Sequence, residues 1–161
     1  MQLSYTQYPL PLALGNIYDT SLRQIDSFIA QGAVGIAKAV VLGTAKESAT
    51  KRGQVVQAGT GAGQGALIAG ITIVSLTVEQ SSAGLVQYAD KDTVPVMTKG
   101  RVVVETNDAV VAGSVANFHL ATGKWTDEAV AAGIEATVLI KVRFITGTTA
   151  AGLAAVEVTK Q

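Results

Sequence analysis

From Val138 to Ile145 the chain alternates with a period of two: Val138, Ile140, Val142 and Phe144 are interleaved with Leu139, Lys141, Arg143 and Ile145. As a strand, this stretch has one apolar face and, at its middle, one basic face directed to solvent or to an interface. β-Branched runs separated by Gly, Asp, Asn and Ser recur along most of the chain. They cover Ile36 to Leu42, Gln54 to Gln57, Leu67 to Val78, Leu85 to Tyr88, Val94 to Thr98, Arg101 to Thr106, Val115 to Leu120, Thr137 to Ile145 and Leu153 to Val158. About nine short strands predict an all-β sandwich or barrel. Between two valine-rich runs, Thr98-Lys99-Gly100-Arg101 reads as a hairpin turn, with Gly100 free to take a positive φ. The alanines of Asp127 to Gly133 suit one helical turn decorating a loop, too short to stand alone.

The start of the chain has a different pattern. Tyr5, Tyr8, Pro9, Pro11 and Tyr18 fall within the first eighteen residues, and proline both fixes its own φ and steers the preceding residue away from helix. The segment reads as an extended arm. Its side chains Tyr8, Leu10, Leu12, Leu14 and Ile17 call for a groove, because each large apolar side chain gains about 1.5–3 kcal/mol when buried. That groove belongs to the same domain, a neighbouring subunit or another protein. Beyond it, Leu22, Ile25 and Ile29 recur at helical intervals behind Asp19 or Thr20 as N-cap, with Gly32 as a stop, and predict one short helix. The expected organisation is an arm with this helix over residues 1–34 and a β body over 35–161.

Composition narrows the classes of function. The 161 residues suffice for one domain with a real core. Twelve Lys and Arg balance twelve Asp and Glu, so the excess of cations that drives counterion release from a nucleic acid is missing, and no nucleic-acid partner is expected. Charged residues make up 15% of the chain against roughly 25% in typical soluble domains, which suits a surface that becomes covered. The longest apolar stretch, Ala66 to Val78, is broken by Gly70, Thr72, Ser75 and Thr77 and falls short of the roughly 18 residues of a membrane span. Neither a membrane partner nor a secretory signal is expected, since Met1-Gln2-Leu3-Ser4-Tyr5 lacks a basic region. Cysteine is absent, which removes disulfides and thiolate metal sites and suits a reducing cytoplasm.

Candidate chemistry is sparse. Gly61, Gly63 and Ala66 have the relaxed spacing of a dinucleotide loop, but Leu67 to Val74 is β-branched where such a loop needs a helix to hold pyrophosphate. The single histidine, His119, lacks spaced carboxylates for a metal and a serine elbow for a triad. Asp90 and Asp92 flank Lys91, and two carboxylates are few for calcium; they and Asp127-Glu128 read as solvated or capping groups. Trp125 follows Gly123-Lys124 and suits a loop anchor or an interface better than a sugar platform. No catalytic residue, cofactor or metal is expected.

The order of segments nevertheless resembles a known family. Ser4-Tyr5, Pro9, Pro11, Gly15 and Asp19 lead to Ala39-Val40-Val41-Leu42-Gly43-Thr44 and Gly70-Ile71-Thr72. Thr77-Val78-Glu79-Gln80, Tyr88 and Asp92 come next, then Val94 to Val104, Ala112-Gly113-Ser114-Val115 and Ala150 to Glu157. This series resembles the structural cement (decoration) proteins of tailed-bacteriophage heads across nearly the whole chain. It departs from the pattern at Val103, where an aromatic is expected, and at Lys91, where glycine is expected. The resemblance implies a jelly-roll-like β-sandwich with an N-terminal arm, assembled in the host cytoplasm and placed on the outer surface of the virion's capsid. It also implies binding to the major capsid protein and self-association as a dimer or trimer, with no enzymatic activity. On that reading Tyr5, Tyr8, Pro9, Leu10, Pro11, Leu12, Leu14 and Tyr18 are the protein-interface residues. The rivals are a carbohydrate-binding, adhesin-like sandwich on the virion surface, using Trp125 and Tyr88, and an enzyme on a β-barrel; fold alone does not separate the three.

Overall fold

The computed structural model describes residues 12–19, 22–43, 54–57, 68–75, 79–80, 86–138 and 140–160. Among these the secondary structure is all β. The strands are β1 (Gln24–Ala30), β2 (Val34–Gly35), β3 (Ala39–Leu42), β4 (Gln54–Gln57), β5 (Ile68–Thr72), β6 (Glu79–Gln80), β7 (Val86–Tyr88), β8 (Thr93–Glu105), β9 (Asn117–His119), β10 (Lys124–Thr126), β11 (Ile134–Glu135), β12 (Ile140–Phe144) and β13 (Leu153–Lys160). The principal sheet runs β1-β4-β3-β5-β8-β13-β12, and a further β1–β8 pairing closes its first five strands into a ring. Two three-stranded sheets, β10-β9-β11 and β2-β7-β6, complete the architecture, a curled form of the expected sandwich or barrel.

β8 is the spine. Its first half pairs on one edge with β1 (Phe28↔Val94, Ile25↔Met97) and on the other with β5 (Ile71↔Met97). Its second half pairs with β13, placing Val156 opposite Val102 and Glu157 opposite Arg101. The expected hairpin at Thr98 to Arg101 is therefore not a turn: those residues lie within one thirteen-residue strand. Gly100 does take a positive φ, 128°, at the point where β8 exchanges β5 for β13. A Cβ there would sit 2.9 Å from the Cβ of Arg23 and 3.2 Å from Sδ of Met97, so glycine serves close approach inside a strand. A Thr-Lys-Gly-Arg sequence between two valine runs fits both a turn and a bend; the partners waiting along both edges decide for the bend.

The helix expected behind Asp19 is likewise replaced by a strand. Ile25, Phe28 and Ile29 are good strand formers, and pairing to the long edge of β8 outweighs an isolated helix of two turns, which is marginal in water. Asp19, the expected cap, bonds Arg101 instead, Oδ2 to Nη1 2.7 Å. Nor does Asp127 to Gly133 form a helical turn: the Ile134 N–H donates to the Ala131 carbonyl, closing a tight turn into β11.

Alternation places the core. β12 reads buried, exposed, buried, exposed, buried from Ile140 to Phe144, as its period of two predicts. Val102, Val104, Ala154, Val156, Val158, Ile140, Val142 and Phe144 belong to one buried cluster with Phe118 and Trp125 and with the ring residues Val40, Ile68, Ile71, Val94, Val96 and Met97. The ring and the β8-β13-β12 sheet therefore share a core. No helix among the described residues is long and apolar enough to cross a membrane.

Candidate functional site

The arm enters the described structure at Leu12 and is bound to its own body. The Gly15 N–H donates to the Val103 carbonyl (2.8 Å), the Val103 N–H to the Asn16 carbonyl (2.9 Å), and the Tyr18 N–H to the Arg101 carbonyl (2.9 Å). Ile17 bridges Val102 in the antiparallel sense and packs against the core. Residues 15–18 thus line the edge of β8 opposite β13. Gly15 (φ 74°) also accepts from the Val74 N–H, and a Cβ on it would lie 2.1 Å from Cγ2 of Ile36. The arm passes there too close to the ring for any side chain.

Of the arm residues singled out in the sequence, Leu12 is half-buried, and Leu14 and Tyr18 remain 36% and 39% exposed. Tyr5, Tyr8, Pro9, Leu10 and Pro11 lie outside the described residues. Asp19 ends the docked stretch, and its bond to Arg101 continues to Glu157, whose Oε1 lies 3.1 Å from the same guanidinium. Asp19 and Glu157 accept hydrogen bonds from the Arg101 guanidinium and raise its pKa above the ordinary value, so Arg101 keeps its charge and holds residues 15–19 as a strap along the edge of β8.

The other candidates have structural roles. Trp125 is fully buried; its Nε1–H donates to the Ala37 carbonyl (3.2 Å) and its ring meets Phe118 edge-on, centroids 5.7 Å apart. Tyr88 is buried too, and its hydroxyl donates to the Ile73 carbonyl; burial pushes the phenol pKa up. Neither ring faces solvent, which removes the platform that the carbohydrate reading requires. Asp90 accepts from the Gly32 N–H (2.7 Å) and Asp92 from the Ala89 N–H (2.8 Å). Asp92 thus caps the turn that Lys91 completes with φ 70°, a backbone position that favours glycine, while Asp90 ties that turn to the chain just after β1. Among the described residues no cluster of His, Asp and Glu could hold a metal. His119 lies half-buried on β9, and the glycine-rich stretch 59–66 lies outside the described residues.

Sequence reasoning missed the joint between the ring and the small sheet. Lys38 donates to the Gly123 carbonyl (3.0 Å), close to the Lys124–Glu105 ion pair of 2.8 Å. Desolvation lowers its pKa, Glu105 raises it in part, and Lys124 lowers it further. The three charges are 38, 105 and 124 in the sequence, and no spacing announces them.

A family model described as structural cement protein (E217 gp24/Pam3 gp6) matches residues 1–159. The chain belongs to this family of phage structural cement proteins. Cement-family membership gives it a structural role in the phage capsid and places it in the virion. Among solved structures, it is similar to a chain in "The capsid of Myoviridae Phage XM1", with TM-score 0.65 and 20% identity over 98% of this chain and 96% of that one. At that identity the likeness bears on the fold, which the cement protein shares along its whole length. No curated protein matches the sequence.

Proposed function

We propose that the protein binds the outer surface of a phage head, bridges neighbouring capsomers of the major capsid protein and thereby stabilises the mature shell. The observation that carries this is the cement-family match over residues 1–159. The physical mechanism is differential affinity. A protein that touches two capsomers buries its full interface only when both occupy their final positions, so its binding free energy favours the mature arrangement. Many copies, coupled through self-association as dimers or trimers, turn a modest single-site affinity into firm retention.

The arm fits this role in two parts. Residues 15–19 are bonded to β8 of their own subunit, and this anchors whatever precedes them. Tyr5, Tyr8, Pro9, Leu10 and Pro11 are the contacts proposed for the shell or a sister subunit, with Leu12, Leu14 and Tyr18 supporting them at the surface of the body. An extended, proline-bearing segment can add to a strand edge and seat alternate side chains in pockets. Deleting residues 1–11 is expected to leave the circular dichroism spectrum and melting temperature close to wild type, because the contacts of Gly15, Ile17 and Asp19 are kept. Co-sedimentation with shells stripped of cement protein should fall by at least about tenfold, as expected when several central contacts are lost. Undiminished binding by the truncated protein would exclude the arm as the shell contact.

A further inference from the structure

The outward face of β8-β13-β12 carries more cations than the fold can use. Arg101 stands opposite Glu157, and Glu157 opposite Arg143, in one row across three strands. In the next row Lys141 stands opposite Thr159, with Lys99 close by on β8. Asp19 and Glu157 both bind Arg101, which leaves Lys99, Lys141 and Arg143 exposed and, among the described residues, outside every ion pair. With the Glu105–Lys124 pair at the far end of β8 counted as neutral, four cations (Lys99, Arg101, Lys141, Arg143) against two carboxylates (Asp19, Glu157) give this face a formal charge of +2 in a chain whose net charge is zero. Lys141 and Arg143 lie two positions apart on one strand, roughly 7 Å, and like charges held so close on a sheet oppose folding slightly.

Beside the cations lies a depression of about 220 Å³ lined by Leu22, Lys99, Gly100, Glu157, Val158 and Thr159. Leu22, 77% exposed, forms an apolar wall to it, and Val115, which bridges Arg143, is an exposed apolar residue at the far side of the face. A sheet face with exposed cations between apolar margins suits a partner that offers carboxylates among apolar side chains. Three such cations are too few for the counterion release that holds a nucleic acid.

We infer that this face docks on a carboxylate-bearing surface of the shell protein, with Lys99, Lys141 and Arg143 supplying the complementary charge and Leu22 and Val115 the apolar margins. The inference rests on the cement reading and specifies the chemistry of the contact. It is tested by a triple variant, Lys99→Gln/Lys141→Gln/Arg143→Gln, and by Lys141→Gln alone should the triple variant melt early. Binding to shells stripped of cement protein is measured at roughly 50 mM and roughly 0.5 M salt, which bracket strong and weak screening. Wild-type affinity should fall with salt, while the triple variant should bind at least about tenfold more weakly at low salt, with a flattened salt dependence. Wild-type affinity and salt response in the variants would overturn the inference and leave the cement reading standing. Failure of the wild type to bind any shell would overturn both. A changed oligomeric state in sedimentation velocity, with per-subunit shell binding unaltered, would assign the face to contacts between copies and likewise overturn it.

Discussion

At the scale of single residues, the structure separates side chains that look chemical in the sequence from those that act. Trp125, Tyr88 and His119 are the residues a search for function notices first, and the two large rings are buried inside the subunit. A tryptophan next to Gly123-Lys124 is consistent with either loop exposure or burial, because its partner, the Ala37 carbonyl, is 88 positions away. Lys38 is the opposite case, an unremarkable lysine in the sequence and a half-buried one in the fold. Because burial lowers its pKa, the folded state releases this proton at a lower pH than the unfolded state does, for which the ordinary value is 10.5. Stability from this group therefore increases as pH rises through the window between the lowered value and 10.5. Denaturant unfolding of wild type and Lys38→Met at pH 8 and pH 10 should show wild type gaining relative to the variant at the higher pH; the effect of the raised Tyr88 pKa, which opposes stability at high pH, is common to both and cancels. A difference that shrinks or does not move with pH would contradict the assigned burial of the charged amine.

At the scale of elements, the account depends on β8 and the strap along its edge. Alternation identified β12 correctly, and valine-rich runs identified both halves of β8 and most of β13. The ring closure, the joining of those halves and the replacement of a helix by β1 were not legible. Each depends on a partner distant in sequence: β1 meets β8 with Gln24 opposite Lys99, and only that pairing overrides the helical spacing of Leu22, Ile25 and Ile29. Pro9 and Pro11, which carry the expectation of an extended arm, lie outside the described residues, and the docking through Gly15 was not legible, because close approach to Ile36 is a property of the folded ring. Gly15→Val places a branched side chain where Ile36 Cγ2 already sits and asks a β-branched residue to hold a φ of 74°. It should destabilise the protein by about 1–3 kcal/mol through overpacking alone, read as a lower denaturant midpoint. A midpoint equal to that of wild type would show that the strap contributes nothing to the subunit.

At the scale of the whole molecule, the features fit a part made to be covered. Few charges, an apolar composition and a cation-bearing outer sheet describe a surface that awaits neighbours. The core is continuous from the ring to the β12 edge, so the body is a firm block onto which contacts can be fixed. The functional class was legible chiefly through the order of weak segments along the chain, a collective signal that no single residue carries. The measurement that tests the central claim most directly is thermal rupture of shells stripped of cement protein, heated alone and after saturation with this protein. The account predicts saturable binding to mature shells, weaker binding to unexpanded ones, and a higher rupture temperature for the decorated particles. Binding that leaves the rupture temperature unchanged, or no binding to shells in any maturation state, would contradict it.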